Sequence, residues 1–223
     1  MTAETKTAIP DFKNTHLAVV SMDAAKDAIA KFQATVLDKA DLTDDMRICR
    51  NKPLEDDFHV TLHIGIGQAD AAITKILQDR IGPFEIELKG LGFFTNAPRA
   101  FDDEKGTKEE GTQHSWDVLY ANIHCAQLAA VHKLLAEHYK VQWHHKTFSP
   151  HLTIAFLKQG RAAKYVQEAN RLAPRTIKVN SILFRKYQER TAPQQTVLLW
   201  KSQDVIKKIL EWCCPPAERI HHA

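Results

Sequence analysis

Two short stretches hold the side chains with the most chemical promise. "FHVTLHIG" at 58–65 and "PHLTIAFL" at 150–157 each set a histidine and a threonine two residues apart on an apolar background. Read as strands, they put His59 with Thr61, and His151 with Thr153, on one face at a spacing of about 7 Å. Two such strands side by side would gather two imidazoles and two hydroxyls around one small pocket. Hydroxyls donate to anionic oxygens. A neutral imidazole takes a proton from water, and a protonated one gives a proton to a leaving oxygen. That inventory suits a phosphodiester, above all a strained cyclic one, whose attacking and leaving oxygens lie on opposite sides of phosphorus.

The elements that must position these residues repeat along the chain. "HLAVVSM" (16–22) reads as a strand. "DAAKDAIAKFQATVLD" follows as a helix, with Asp23 as N-cap and Ala24, Ala28, Phe32 and Val36 on its inner face. After a polar loop at 40–57 comes the strand 58–65. "ADAAITKILQDR" is a second helix with Ile73, Ile76 and Leu77 inward, and "FEIELKGLGFF" (84–94) is a strand. The second half runs the same way. "WDVLYANI" (116–123) is a strand, and "CAQLAAVHKLLAEHYK" a helix with Leu128, Val131, Leu134 and Leu135 as its stripe. "FSPHLTIAFL" is a strand, "GRAAKYVQEANRL" a helix, and "TIKVNSILFRKY" (176–187) and "QQTVLLW" (194–200) are strands. Each half is strand, helix, strand, helix, strand, with H-x-T in the same slot, which predicts an internal duplication. Equivalent strands would face each other across a central cleft and bring His59 and His151 together.

Composition sets the outer bounds. The chain has 223 residues, 44% hydrophobic and 26% charged, with a formal net charge of +3. These are ordinary values for a soluble globular protein and too weakly basic for a nucleic-acid coat protein. The cysteines at 49, 125, 213 and 214 make no C-x-x-C pair, which points to reduced thiols. The first dozen residues lack an apolar stretch, and no run approaches the about 20 residues that span a bilayer. The expectation is a soluble monomer of the cytosol or nucleus without a membrane partner. The stretch 96–114 reads as an exposed loop. Residues 202–223 offer a C-terminal helix and tail, with Ser202 as N-cap and Pro215–Pro216 as its end.

"HVTL" at 59–62 and "PHLTIAF" at 150–156 resemble the paired H-x-T-hydrophobic signatures of the two-histidine (2H) phosphoesterase superfamily, which includes cyclic phosphodiesterases and 2′-5′ RNA ligase-like proteins. "FEIELKGLGFF" and "YANIHCAQLAAVHKLL" are similar to the segments that follow the first motif and precede the second. The resemblance covers roughly 15–201. It implies an α+β, bilobal, pseudo-symmetric fold: a single domain of two intertwined lobes, about 15–95 and 115–201, with two antiparallel sheets around a cleft and helices outside. It implies His59 and His151 as the acid/base pair, Thr61 and Thr153 as phosphate ligands, and neither cofactor nor metal.

The expected activity is hydrolysis of a 2′,3′-cyclic phosphate on an RNA end or small nucleotide. A 2′-5′ oligonucleotide or a cyclic oligonucleotide messenger is an alternative substrate, and a non-catalytic RNA- or nucleotide-binding module is an alternative class. A base wants an aromatic partner. Phe93, Phe94, Trp116, Tyr120, Trp143 and Phe148 are available, with Phe94 preferred and Trp143 second. His63 is expected on the face of His59, toward the cleft rim, and about 13 Å along the strand, too far for the two to share a metal. His144 and His145 are expected in a loop near the cleft mouth. Arg99, Lys146 and Arg185 are read as ordinary surface charge.

Overall fold

A computed structural model of the chain describes residues 15–43, 53–96, 116–141, 147–172, 176–187 and 194–199. In chain order the strands are β1 (His16–Ser21), β2 (His59–Ile66), β3 (Phe84–Asn96), β4 (Trp116–His124), β5 (His151–Lys158), β6 (Thr176–Val179), β7 (Ser181–Lys186) and β8 (Gln195–Leu198). The helices are α1 (Lys26–Val36), α2 (Ala71–Arg80) and α3 (Ala126–Tyr139), with a 3-10 segment over Ala163–Arg171. The expected loop at 96–114 lies outside the described residues from 97 onward, as does the expected C-terminal helix.

Among the described residues all strand pairings are antiparallel, in the order β6-β3-β4-β5-β2-β1-β7-β8. The sheet falls into two groups of four. β5 and β2 join them through one residue pair, Val60 and Leu152. Each group draws on both halves of the sequence: β3 pairs with β4, and β7 pairs with β1. The two sheets expected from the sequence are thus one sheet with a narrow waist. Residues 176–187, read as one strand, break at Asn180. β6 pairs with β3 on one side, and β7 pairs with β1 on the other. A single residue bridges what the strand order places far apart, so the sheet must curl until its ends are neighbours. Leu199 N donates to Asn180 O at 2.7 Å and pins that corner.

One face of the sheet is covered by helices. Ile29 and Phe32 of α1, Ile73 and Leu77 of α2, and Leu128, Val131 and Leu135 of α3 are buried against Val60, Leu62, Leu152 and Ile154. The stripes of α2 and α3 follow the sequence reading, although Ile76 and Leu134 are only partly buried. The stripe of α1 does so only in part: Phe32 is buried and Val36 packs partly buried against the core, but Ala24 is exposed. Asp23 is not its cap. Ser21 Oγ donates to Asp23 Oδ2 at 2.6 Å, and the chain makes a 3-10 turn over Asp23–Ala25 before the α-helix begins at Lys26. That change of winding turns Ala24 outward and brings Ile29 and Gln33 inward beside Phe32. The helix expected over "GRAAKYVQEANRL" is present and winds as a 3-10 helix over Ala163–Arg171. Asp117, fully buried on β4, accepts from Ala162 N and from Thr95 Oγ1, both at 2.9 Å, and so ties that segment to the sheet.

Leu152 is fully buried at the waist. Leu152→Ala is expected to lower unfolding stability by about 2–5 kcal/mol, read as a lower urea midpoint with an unchanged denaturant slope.

Candidate active site

The waist decides which side chains meet. Val60 and Leu152 both point into the helix-covered core. Strand alternation therefore turns His59, Thr61, His151 and Thr153 to the opposite face, one step to either side of the pair. The antiparallel sense sets His59 on the Thr153 side and Thr61 on the His151 side. All four are partly buried. The residues expected to converge from the two motifs are brought together at the one place where the sheet halves touch.

Each motif strand carries a bulge directly after its threonine. The partners of β2 on β1 skip Leu62, and the partners of β5 on β4 skip Ile154. A bulge inserts one unpaired residue and bends the strand. It also flips the alternation beyond it. Leu62 and His63 are both fully buried, as are Ile154 and Ala155. His63 consequently does not share the face of His59. It lies on the helix side, its ring stacked on His132 of α3 at 5.0 Å. The sequence expectation of a rim position fails because the bulge counts as one extra residue.

The two imidazoles are held alike. His59 Nδ1 lies 2.6 Å from Asp57 O, and His151 Nδ1 lies 2.9 Å from Ser149 O. A carbonyl oxygen only accepts, so each Nδ1 carries a proton and donates it two residues back. Each Nε2 is left facing away from these carbonyls, able to take or give a proton.

Their surroundings differ. Arg185, on β7, is buried and forms an ion pair with Asp57, its Nη1 2.7 Å from Oδ2. Its Nη2 stands 3.1 Å from His59 Nδ1. That nitrogen already donates to the carbonyl, so Arg185 acts on it through charge. Burial first, and Arg185 second, push the His59 pKa below its ordinary 6.5, against the opposing pull of Asp57 and Glu55. Arg185, read from the sequence as surface charge, is therefore a buried member of the site.

His151 has aromatic company instead. The ring of Tyr120 lies 5.3 Å away, and Phe94 meets it edge-on at 5.7 Å. The two aromatics contact each other at 5.4 Å. Tyr120 pairs across the strands with Thr153 and Gly92, which puts it on the face of the four motif side chains. Gly92 is what admits it: a Cβ there would come within 2.8–2.9 Å of the Tyr120 ring and hydroxyl. Phe94, the preferred aromatic, stays 37% exposed on this face. Of the others, Trp116 is buried and Phe148 stacks on His132. Phe93 pairs with Leu119 of the core and so projects to the face opposite Phe94. Trp143, His144, His145, Lys146 and Arg99 lie outside the described residues.

Two contacts had no sequence signal. Asp57 and Ser149 act through their carbonyls, and a carbonyl has no residue type.

The family model of the 2′-5′ RNA ligase superfamily matches residues 57–191, more than half of the chain and both motifs. No curated protein matches. Among solved structures, Usb1 of Kluyveromyces marxianus is 14% identical, with 85% of this chain and 100% of that chain covered and a TM-score of 0.47. LigT of E. coli in its apo form is 12% identical, with 85% and 96% covered and a TM-score of 0.46. LigT complexed with 3′-AMP is 14% identical, with 84% and 95% covered and a TM-score of 0.45. On the family match, the chain belongs to the 2′-5′ RNA ligase superfamily, whose members are phosphoesterases and RNA ligase-like enzymes.

Proposed function

We propose that the chain is a phosphodiesterase that opens a 2′,3′-cyclic phosphate on an RNA end or a small nucleotide, by acid–base catalysis between His59 and His151. The observation that carries this reading is the meeting of the two H-x-T strands at Val60 and Leu152, with both imidazoles fixed through Nδ1. His59, kept neutral by burial and by the Arg185 charge, is the base. Its Nε2 takes a proton from water, and the water oxygen attacks phosphorus. The bond from phosphorus to the 2′ or 3′ oxygen breaks opposite. His151, protonated on both nitrogens and still donating Nδ1–H to Ser149 O, gives its Nε2 proton to the leaving oxygen. The product is a monophosphate ester. Thr61 and Thr153 donate to the two remaining phosphate oxygens. Phe94 and Tyr120 offer the wall against which a base would lie. Both proton transfers are supplied by imidazole, so the scheme has no step that calls for a metal.

The test is turnover of 2′,3′-cyclic AMP and of an RNA ending in a 2′,3′-cyclic phosphate. His59→Ala and His151→Ala are each expected to lower kcat by about 10²–10⁴ with an unchanged circular dichroism spectrum. Activity is expected to survive excess EDTA, and a loss restored by added metal would refute the scheme. Tight binding without product after long incubation would instead make the chain a binding module. Turnover confined to 2′-5′ oligonucleotides or cyclic oligonucleotides would keep the site and change the substrate.

The pH dependence follows from the sign of the His59 shift. The groups facing that ring are Arg185 from β7, and Asp57 and Glu55 from the segment before β2. A depressed pKa keeps the base neutral to lower pH, so the acid limb of kcat/KM is expected to have its midpoint below 6.5. Arg185→Met removes the nearby cation and leaves the Asp57 charge. The acid limb is then expected to move to higher pH. A limb that stays in place would remove Arg185 from the account of His59.

A further inference from the structure

Beyond the waist, β2 and β5 part; Ile154 O, just past Thr153, already accepts from Glu55 N at 3.2 Å, and Leu62 O, just past Thr61, lies outside the β2–β5 pairing. Each is met by a polar side chain from a helix. Gln33 of α1 donates from Nε2 to Ile154 O at 2.8 Å, and His132 of α3 donates from Nδ1 to Leu62 O at 2.8 Å. Ile154 and Leu62 are the two bulge residues. The same two side chains also reach the lead-in to the other motif. Gln33 Nε2 donates to Glu55 O at 2.8 Å, while the Glu55 carboxylate accepts from Asp57 N at 3.0 Å, and Asp57 O receives His59 Nδ1–H. His132 stacks flat on Phe148, with centroids 4.2 Å apart and planes within 5°; Phe148 adjoins Ser149, whose carbonyl receives His151 Nδ1–H.

We infer that Gln33 and His132 are a pair of positioning residues that cross-tie the two motifs. Each links the residue after one threonine to the segment that orients the other motif's histidine. Gln33 thus governs the setting of His59, and His132 that of His151, and together they hold the separation of the two rings. Neither touches the face where the four motif side chains lie; both act from the core side. The catalytic consequence rests on the phosphodiesterase reading, but the positioning does not.

The test reads the imidazoles directly. Side-chain ¹⁵N NMR of the ligand-free full chain, assigned with His59→Asn and His151→Asn, is expected to show both rings as the Nδ1–H tautomer. His132→Leu is expected to turn His151 into a tautomer mixture while His59 keeps the parent spectrum. Gln33→Met is expected to do the reverse. His132→Asn, whose amide N–H stands where Nδ1–H stood but which has no ring to stack on Phe148, is expected to leave the tautomer mixture at His151. His132→Gln, which keeps polarity but misplaces the donor, is expected to behave like leucine and serves if the leucine variant does not fold. Turnover of 2′,3′-cyclic AMP is expected to fall about 10- to 100-fold in kcat, with KM little changed, in the methionine and leucine variants. Parent tautomer spectra for both rings in both variants, whatever their melting temperatures, would overturn the inference and leave Gln33 and His132 as core residues only. A parent that does not turn over the substrate would sink the proposed function, and the spectra would still decide the cross-ties.

Discussion

The structure turns on one backbone pairing. Val60 and Leu152 are the only residues through which β2 and β5 are in register, and they fasten two four-stranded groups into one sheet. A longer ladder would zip the strands together and close the space between their outward side chains. No pairing would leave two unrelated surfaces. A single pair holds the strands together at one point and lets them diverge from there. The bulges at Leu62 and Ile154 bend both strands just beyond it, each in the same place relative to its threonine.

The frame is nearly symmetric, and its departures from symmetry are chemical. Phe94 lies two strands from β5 by the same pairing path that places Arg185 two strands from β2. Tyr120 opposite Thr153 corresponds to Val19 opposite Thr61. One imidazole therefore sits beside a buried guanidinium and the other beside two aromatic rings. Burial and the guanidinium together disfavour charge on the His59 ring. In the proposed reaction that difference sets the direction of proton flow. On the core side the same pattern holds: a glutamine and a histidine occupy matching places and meet matching carbonyls.

Much of the frame could be read from the residues. Period-two alternation marked the motif strands, and 3.6-residue spacing marked α2 and α3, because both depend only on which side of the chain meets the core. The likeness of the two motif segments, and their equal slots in a repeated order, foretold that the two H-x-T strands would lie side by side. Phe94, preferred among six aromatics for base stacking because of its place at a strand end, has its ring edge-on to His151.

What escaped the sequence has a common cause: it depended on partners distant along the chain. His63 was assigned a face by counting alternate residues, but the bulge that reverses the count is defined by how β1 pairs, not by the type of Leu62. Arg185 looked like surface charge because nothing in "ILFRKY" says that Asp57 waits across the sheet. The break at Asn180 follows from the curl of the whole sheet. The amino-acid order alone determined which side chains share a strand face and that two like strands exist, since a strand's pleat is local and repeats every two residues. Only the tertiary structure decided how closely those strands approach, where they part and what charge stands behind each ring, since register, bulges and burial are set by contacts between segments a hundred residues apart.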